Sequence, residues 1–261
     1  MSTTMKRWLS GVAVVVCALA TVRTACAQDA LSVTIVGRGD DGFKELIAQF
    51  EKNTGRKVAL RFPSFIESRD TIVKGEPFDV GIVEFPHDAD VIASGNVVPG
   101  SATVIANGWM AVAVKKGAPK PDISTPSAVK RMLLNAKSIA YPDPEGGTGA
   151  SGVNVVTMLR RLGIEDAVKA KTTLTRGGGR AMAMAASGEA EIGMTYHIGM
   201  YGNDKIDIVG TLPAQVAPPT PLIGFISSKT KNPAAAKELL AFLTSPEARA
   251  TYTKYLLEPA Y

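Results

Sequence analysis

Two long stretches of this chain alternate between short apolar runs and amphipathic segments of helical period. In the first, β-branched runs at residues 31–36, 57–62 and 78–83 are separated by helical patterns at 43–52 and 67–74. Short apolar runs predict buried strands, and apolar residues spaced three and four apart predict helices. Strand–helix–strand–helix–strand joins parallel strands by crossovers, so this stretch predicts a parallel α/β sheet.

A second α/β series lies further along the chain. It consists of helical patterns at 125–135 and 151–162 around a strand at 138–141, and then a helix at 181–187 before a strand at 190–196. Gly163 follows the helical pattern of 151–162 and predicts its end. The remaining predicted elements are strands at 206–209 and 222–227 and helices that begin near Asn232-Pro233 and Ser245-Pro246, where Asn and Ser are good capping residues.

Two segments are suited to connect these series. The mostly apolar stretch 104–114, which contains Trp109, is long enough for a strand that passes from one lobe to the other, and a proline-rich stretch at 213–221 marks the return. We therefore predict two α/β lobes joined by a two-segment hinge near 105–110 and 218–222. Residues 28–106 and 221–261 are assigned to lobe I, and residues 107–220 to lobe II.

The first 27 residues have the pattern of a secretory signal peptide. Lys6 and Arg7 precede an uncharged apolar run at 8–22, and Ala25-Cys26-Ala27 matches a cleavage site. The apolar run is shorter than the roughly 20 residues that a membrane span needs, which disfavours a signal anchor. We expect a mature, periplasmic protein that begins near Gln28.

Removing this segment changes the composition of the chain. Cys17 and Cys26 both lie within it, so no thiol remains for a disulfide or a cysteine-based metal site. The net charge of +5 falls to +2 without Lys6, Arg7 and Arg23, which is too small to indicate a nucleic-acid partner. We expect neither a metal nor a cofactor.

Two glycine-rich loops have the same position relative to a strand and a helix. They read GRGDDG at residues 37–42 and GTGASG at residues 147–152, and each precedes a helical pattern. Such a loop directs free backbone N–H groups and the positive end of a helix dipole toward one point. Two loops of this kind, one in each lobe, predict donors on both sides of one bound anion.

The second loop is neutral and carries hydroxyl groups. Gly147 and Gly149 allow close backbone approach, while Thr148 and Ser151 add O–H donors. The alternative is an ordinary helix N-cap with a flexible turn. We favour contact with an anion.

The first loop is charged. The Arg38 guanidinium can bind a carboxylate or phosphate through two parallel hydrogen bonds, and Gly39 and Asp40 complete the candidate loop. An ion pair with Asp40 or Asp41, or exposure to solvent, is an equally favoured alternative for Arg38. Arg180 follows three glycines at a helix start and is open to the same two interpretations.

Tyr196 and His197 follow a predicted strand, at the edge where α/β proteins bind ligands. We favour Tyr196 as the ligand residue, since a structural role is at least as common for a histidine like His197. Trp109 is interpreted as packing in the hinge rather than stacking on a ligand.

The ordered segments resemble the periplasmic solute-binding proteins of ABC importers, and among them the molybdate-binding branch. The resemblance covers nearly the whole mature chain, and the order and spacing of its segments indicate the type II periplasmic binding protein fold. The segments are FEKNTG at 50–55, GEPFDV at 75–80, AYPDP at 140–144, LGI at 162–164, GEAEIG at 188–193, KNPAAA at 231–236 and LTSPEA at 243–248.

This resemblance implies a ligand in the cleft between the lobes and delivery to a membrane permease driven by an ATPase. It also carries over Ser64 from the loop after the second strand, and Tyr196 from the position after the strand at 190–196. Arg38, Asp40 and Asp41 replace the small neutral residues of molybdate binders. We therefore predict a monomeric receptor for a small anion, an organic polycarboxylate or an oxyanion, with molybdate, tungstate or sulfate as the alternative ligands.

Three other classes of protein are considered. A dinucleotide-dependent enzyme is disfavoured because Arg61-Phe62, rather than an acidic residue, ends the second strand. A hydrolase is disfavoured by the absence of G-x-S-x-G and H-E-x-x-H motifs and by the presence of only two histidines. An exported adhesin or the ligand subunit of a sensor stays open, and no enzymatic activity is predicted.

Overall fold

The computed structural model describes residues 30–37, 41–146 and 150–261. The strands in these ranges lie in two sheets, which form the cores of two α/β lobes. In chain order they are β1 (Leu31–Ile35), β2 (Val58–Arg61), β3 (Val80–Glu84), β4 (Thr103–Gly108), β5 (Met110–Lys115), β6 (Ile139–Pro142), β7 (Thr172–Thr175), β8 (Ile192–Tyr196), β9 (Ile206–Thr211), β10 (Thr220–Ile226) and β11 (Glu258–Pro259).

Helices cover both sheets. In chain order they are α1 (Asp41–Thr54), α2 (Phe65–Val73), α3 (Asp88–Ala93), α4 (Pro126–Asn135), α5 (Ser151–Leu162), α6 (Glu165–Lys169), α7 (Gly178–Ser187), α8 (Pro233–Leu243) and α9 (Pro246–Lys254), with a 3₁₀ turn at His197–Met200. The predicted α/β fold with two lobes is confirmed.

The first lobe is a six-stranded sheet in the order β11-β4-β10-β3-β1-β2. β1 pairs in parallel with β2 and β3, as the sequence predicts, whereas β10 runs antiparallel to β3 and β4. The second lobe is a five-stranded sheet in the order β7-β6-β8-β5-β9, parallel around β6 and antiparallel around β5. Both sheets are therefore mixed, and their antiparallel parts include the strands next to the crossings between the lobes.

Amphipathic helices bury their apolar faces against these sheets. In α1, Phe43 and Phe50 are almost fully buried and pack against Tyr252 and Phe242 of the terminal helices, with ring centroids 6.0 and 5.7 Å apart. Burying each such side chain stabilises the fold by about 1.5–3 kcal/mol. These contacts fix the C-terminal helices on the first lobe.

The crossings between the sheets differ in part from the prediction. The stretch 104–114 is not one strand, because it divides at Trp109 into β4 of the first sheet and β5 of the second. The chain returns between Thr211, where β9 ends, and Thr220, where β10 begins. The predicted lobe boundaries, between residues 106 and 107 and between residues 220 and 221, stay predictions.

The predicted positions of these helix ends are right, but the predicted side-chain caps are not formed at two of them. Gly163 ends α5 in the left-handed conformation, with φ of 65°. Asn232 and Ser245 do occupy the N-cap positions of α8 and α9, but neither side chain makes a capping hydrogen bond. The proline at the first helical position has no N–H, so the helix start has one fewer donor that needs an acceptor from a capping side chain.

Two further findings concern the described residues only. None of their helices is long and apolar enough to span a membrane. Their histidines and acidic side chains also form no group that could hold a metal ion.

Candidate functional site

A cleft of about 340 Å³ lies between the two lobes. It is bounded by the carboxyl ends of β3 and β8 and by the starts of three helices. This is the edge at which open α/β sheets bind ligands. The described residues that contribute polar groups to its lining include Gly37, Asp41, Glu84 and Thr220 from the first lobe and Ser151, Gly178, Gly179, Thr195, Tyr196 and Tyr201 from the second.

The starts of α5 and α7 supply backbone donors to this cleft. Ala150 and Gly177 are their N-cap residues, and neither helix start has a side-chain cap, so its first N–H groups are not satisfied by a local side chain. Ser151 and Gly178, the first residues of these helices, line the cleft. Both helix dipoles thus favour negative charge at this place.

Glycines allow these helix starts to lie close to the strand ends. A Cβ added to Gly152 would stand 2.3 Å from the carbonyl oxygen of Pro142 at the end of β6. A Cβ on Gly178 would stand 2.2 Å from Oγ1 of Thr195 near the end of β8. Any side chain at these positions would push the helix away from the strand, so the glycines set the position of the N–H groups.

A three-membered hydrogen-bond network joins the lobes at the base of the cleft. Asn154 Nδ2 donates to the Tyr196 hydroxyl at 2.7 Å and to Thr220 Oγ1 at 2.9 Å, and the two hydroxyls are 3.1 Å apart. The bond between the hydroxyls uses one of their two protons. Whichever hydroxyl donates, the proton of the other is left for a ligand oxygen.

Glu84 is an acidic side chain in a cleft that is otherwise suited to anions. It ends β3, lines the cleft and accepts a hydrogen bond from the backbone N–H of Ala150 in the second lobe. Its Oε2 atom is buried and has no hydrogen-bond partner among the residues that the structure describes. Burial raises the pKa of Glu84 to about 7, and the N–H of Ala150 only partly opposes this effect.

Burial and the neighbouring Glu84 charge also raise the pKa of Tyr196 well above its ordinary value. Tyr196 is therefore a neutral hydrogen-bonding group at any physiological pH. Burial lowers the pKa of His197, which favours its neutral form. Its backbone N–H donates to the Trp109 carbonyl at 2.8 Å, at the crossing between the sheets.

The predicted site residues fall into three groups. Ser151 and Tyr196 lie in the cleft, and whether they contact a ligand stays a prediction. Ser64 and Arg180 are placed elsewhere: Ser64 caps α2 in a reciprocal pair with Glu67, and Arg180 is exposed with its guanidinium 3.3 Å from Glu189. Arg38, Gly39, Asp40, Gly147, Thr148 and Gly149 lie outside the described residues.

Sequence reasoning did not select Glu84, Asn154 or Thr220. Glu84 stands at the carboxyl end of a buried strand, and that position was the signal available for it. Asn154 lies one turn into a helix and Thr220 in a proline-rich stretch, so neither has a local pattern that indicates a site. Their proximity depends on how the two lobes meet.

Comparisons with known proteins agree with this fold. Residues 33–256 match the family model of bacterial extracellular solute-binding proteins, and the chain belongs to this family. Its fold is that of the type II periplasmic binding proteins. The solved periplasmic molybdate-binding protein of Azotobacter vinelandii superimposes with a TM-score of 0.69 at 22% identity, covering 88% of this chain and 100% of that one.

Two curated relatives have different activities. An aconitate isomerase from a Pseudomonas species is 31% identical over 237 residues, which cover 88% of each chain. The molybdate-binding protein ModA of Azotobacter vinelandii is 26% identical over 236 residues, which cover 88% of this chain and 91% of the relative. The molybdate-binding resemblance read from the sequence is thus confirmed.

Proposed function

We propose that this protein is a periplasmic receptor that binds a small organic anion between its lobes and presents it to an ABC permease, acting as a monomer and without catalysis. The observation that carries the proposal is the convergence of the uncapped starts of α5 and α7 on one cleft. Backbone N–H groups and helix dipoles bind anions without a counter-charge. Membership of the family supports the periplasmic location and the permease partner.

The hydroxyl groups of the cleft complete this set of donors. Ser151 is nearly buried at the first position of α5, and the network of Tyr196, Thr220 and Asn154 has one hydroxyl proton to spare. The predicted loops around Arg38 and Thr148 would add donors at the starts of α1 and α5. We include both loops in the proposed site.

The size of the cleft favours an organic acid over an inorganic oxyanion. Its volume of about 340 Å³ is at the lower end of the roughly 300–1,000 Å³ typical of sites for organic ligands. A tetrahedral oxyanion would fill a small part of it, whereas a polycarboxylate can reach helix starts in both lobes. The Arg38 side chain, which suits a carboxylate, supports the same choice.

Calorimetric titration of the mature protein tests this proposal. We expect saturable one-to-one binding of citrate or trans-aconitate, with molybdate, tungstate, sulfate and phosphate weaker. Cationic thiamin and a neutral sugar serve as controls and should give no binding heat. Failure of every anion to bind would overturn the receptor function, and preference for molybdate would restore the alternative ligand.

An isomerase is the second candidate function. It is favoured by the relative named aconitate isomerase and by Glu84, whose carboxyl group lies in the cleft with a pKa near neutrality, as proton transfer to and from carbon requires. Incubation with trans-aconitate in D₂O, followed by proton NMR, separates the two candidates. A receptor leaves the substrate unchanged, whereas an isomerase forms cis-aconitate.

A further inference from the structure

We propose that the cleft takes up its anion together with one proton, which the carboxyl group of Glu84 holds. This inference rests on the proposed receptor function and deepens it. It makes Glu84 the residue that couples the affinity for the anion to pH.

The geometry provides the first argument. Glu84 ends β3 at the base of the cleft, where its Oε2 is shielded from solvent and has no hydrogen-bond partner within the described part of the chain. The N–H of Ala150, at the start of α5, donates to the same carboxyl group from the other lobe. An ionised carboxylate would need further donors at Oε2, whereas a protonated carboxyl leaves no unpaired charge on that buried atom.

The charges around Glu84 provide the second argument. Among the described residues that line the cleft, none is Lys, Arg or His, and the titratable groups besides Glu84 are Asp41, Tyr196, Tyr201 and Tyr255. Asp41 is exposed and paired with Lys44 at 2.9 Å, and the pKa values of Tyr196 and Tyr255 are both raised, which favours their uncharged forms. His197, next to Tyr196, is held in its neutral form by burial.

Helix α2, which packs on β3, carries three charged residues, but Glu67 accepts from Ser64 and Arg69 pairs with Asp70 at 2.7 Å. The strands beside β3, β1 and β10, present no ionisable residue, and His87 beyond the end of β3 is buried against Phe65 with a pKa lowered chiefly by burial. A polycarboxylate carries more negative charges than the one guanidinium of the proposed site, Arg38, can neutralise, so a carboxylate bound beside ionised Glu84 would still meet a like charge in a poorly solvated cleft. Two negative groups that share such a site favour the state in which one of them is protonated.

The sign of the pH effect follows from this coupling. In the free protein the carboxyl of Glu84 has a pKa of about 7, so at pH 8 it is mostly ionised. Binding an anion raises this pKa further, and a proton is taken up from the buffer. Affinity is then constant below about pH 7 and falls roughly tenfold for each pH unit above it.

Calorimetry at pH 8 in two buffers of different ionisation enthalpy, such as HEPES and Tris, measures the protons taken up on binding. The probe is trans-aconitate, whose carboxyl groups are ionised at this pH. We expect about one proton per ligand for the wild-type protein. Glu84→Gln keeps an acceptor and a donor at this position, and we expect it to take up none and to bind roughly tenfold tighter than wild type at pH 8.

Glu76→Gln is the matched control, because Glu76 is an exposed glutamate of the same lobe that does not line the cleft. It should take up the same proton as wild type. Binding without proton uptake by the wild type would overturn this inference and leave the receptor function intact, and so would unchanged uptake in Glu84→Gln. If Glu84→Gln does not fold, the wild-type measurement alone decides. Absence of binding by every anion would overturn the receptor function itself.

Discussion

The hydroxyl of Tyr196 and Oγ1 of Thr220 are 3.1 Å apart, and this hydrogen bond joins the second lobe to the first. Asn154 donates to both oxygens, so the two hydroxyls are held in a fixed geometry. Among the described residues, one hydroxyl proton of the network has no acceptor. The network therefore joins the two lobes, and we expect contact with a ligand as its second purpose.

Tyr196→Phe tests both purposes. It removes one hydroxyl from a neutral network, and a hydrogen bond of this kind is worth about 0.5–1.5 kcal/mol. We expect binding of the preferred anion to weaken roughly 2–10-fold and the free energy of unfolding to fall by about 1 kcal/mol. Calorimetry and urea denaturation measure the two effects.

Tyr201→Phe is the control for Tyr196→Phe. Tyr201 lines the same cleft, but it is 44% exposed, and its ring packs on Tyr255 with centroids 4.6 Å apart, a contact that phenylalanine retains. We expect its unfolding free energy to stay within about 0.5 kcal/mol of wild type. Equal effects of the two substitutions would show that the network contributes nothing specific.

Glu84 should make stability depend on pH in the absence of ligand. The folded protein raises the pKa of Glu84 from 4.5 to about 7, so the folded state binds the proton more tightly than the unfolded state does. The stabilisation from this proton is complete below pH 4.5 and is lost as pH rises through about 7. Glu84→Gln cannot lose it.

We therefore expect the stability of Glu84→Gln relative to wild type to rise by about 2–3 kcal/mol between pH 5 and pH 8. Urea denaturation of both proteins at the two pH values measures this difference. Other titrating groups contribute equally to the unfolding free energy of both proteins, so their contributions cancel. Glu76→Gln should show no such trend. A constant difference between Glu84→Gln and wild type would mean that Glu84 titrates near its ordinary pKa in the folded protein.

Much of the fold could be predicted from the sequence because its signals are local. The β-branched runs of β1 and β3 indicate buried strands. The helical spacing of Phe43, Leu46 and Phe50 in α1 indicates one buried face, and that face packs on the sheet. Short elements such as α3 and β7 lack enough residues to show a period. Their positions are set by neighbouring chain segments.

The candidate site could be predicted only in part for the same reason. Ser151 and Tyr196 follow recognisable strand and loop patterns. The network of Asn154 and Thr220 joins residues 66 positions apart in sequence, and the bond from Ala150 to Glu84 crosses from one lobe to the other. Ser64 is carried over from the family resemblance, and its hydroxyl oxygen accepts the N–H of Glu67 at the start of α2, a local hydrogen bond that competes with a ligand for the same group.

Trp109 offers a reporter of the hinge. Its indole N–H donates to Glu258 of the first lobe at 2.8 Å, while its carbonyl accepts from His197 of the second. It is the one tryptophan after residue 27. Closure of the lobes around a ligand would alter both contacts, so we expect saturable ligand-dependent fluorescence with the midpoint found by calorimetry.

Trp109→Phe should abolish this signal and leave a measurable calorimetric affinity. Glu258→Gln keeps an acceptor for the indole and should keep the signal. Binding heat without any change in Trp109 emission would argue that the lobes do not move about this crossing when the ligand binds.

Gly178 and Gly179 form a matched pair at the start of α7. A Cβ on Gly178 would stand 2.2 Å from Oγ1 of Thr195, a buried β-branched side chain with little freedom to move, whereas a Cβ on Gly179 would meet nothing within 4 Å. We expect Gly178→Ala to destabilise the protein by about 1–3 kcal/mol, as overpacking does, and to weaken anion binding by displacing the helix start.

Gly179→Ala should leave stability unchanged or raise it by up to about 1 kcal/mol, because alanine favours the helical backbone. Urea denaturation of the two variants makes the comparison without any knowledge of the ligand. Equal stability of the two proteins would mean that α7 can withdraw from β8 at no cost. The glycine would then not be what fixes the α7 N–H groups at the cleft.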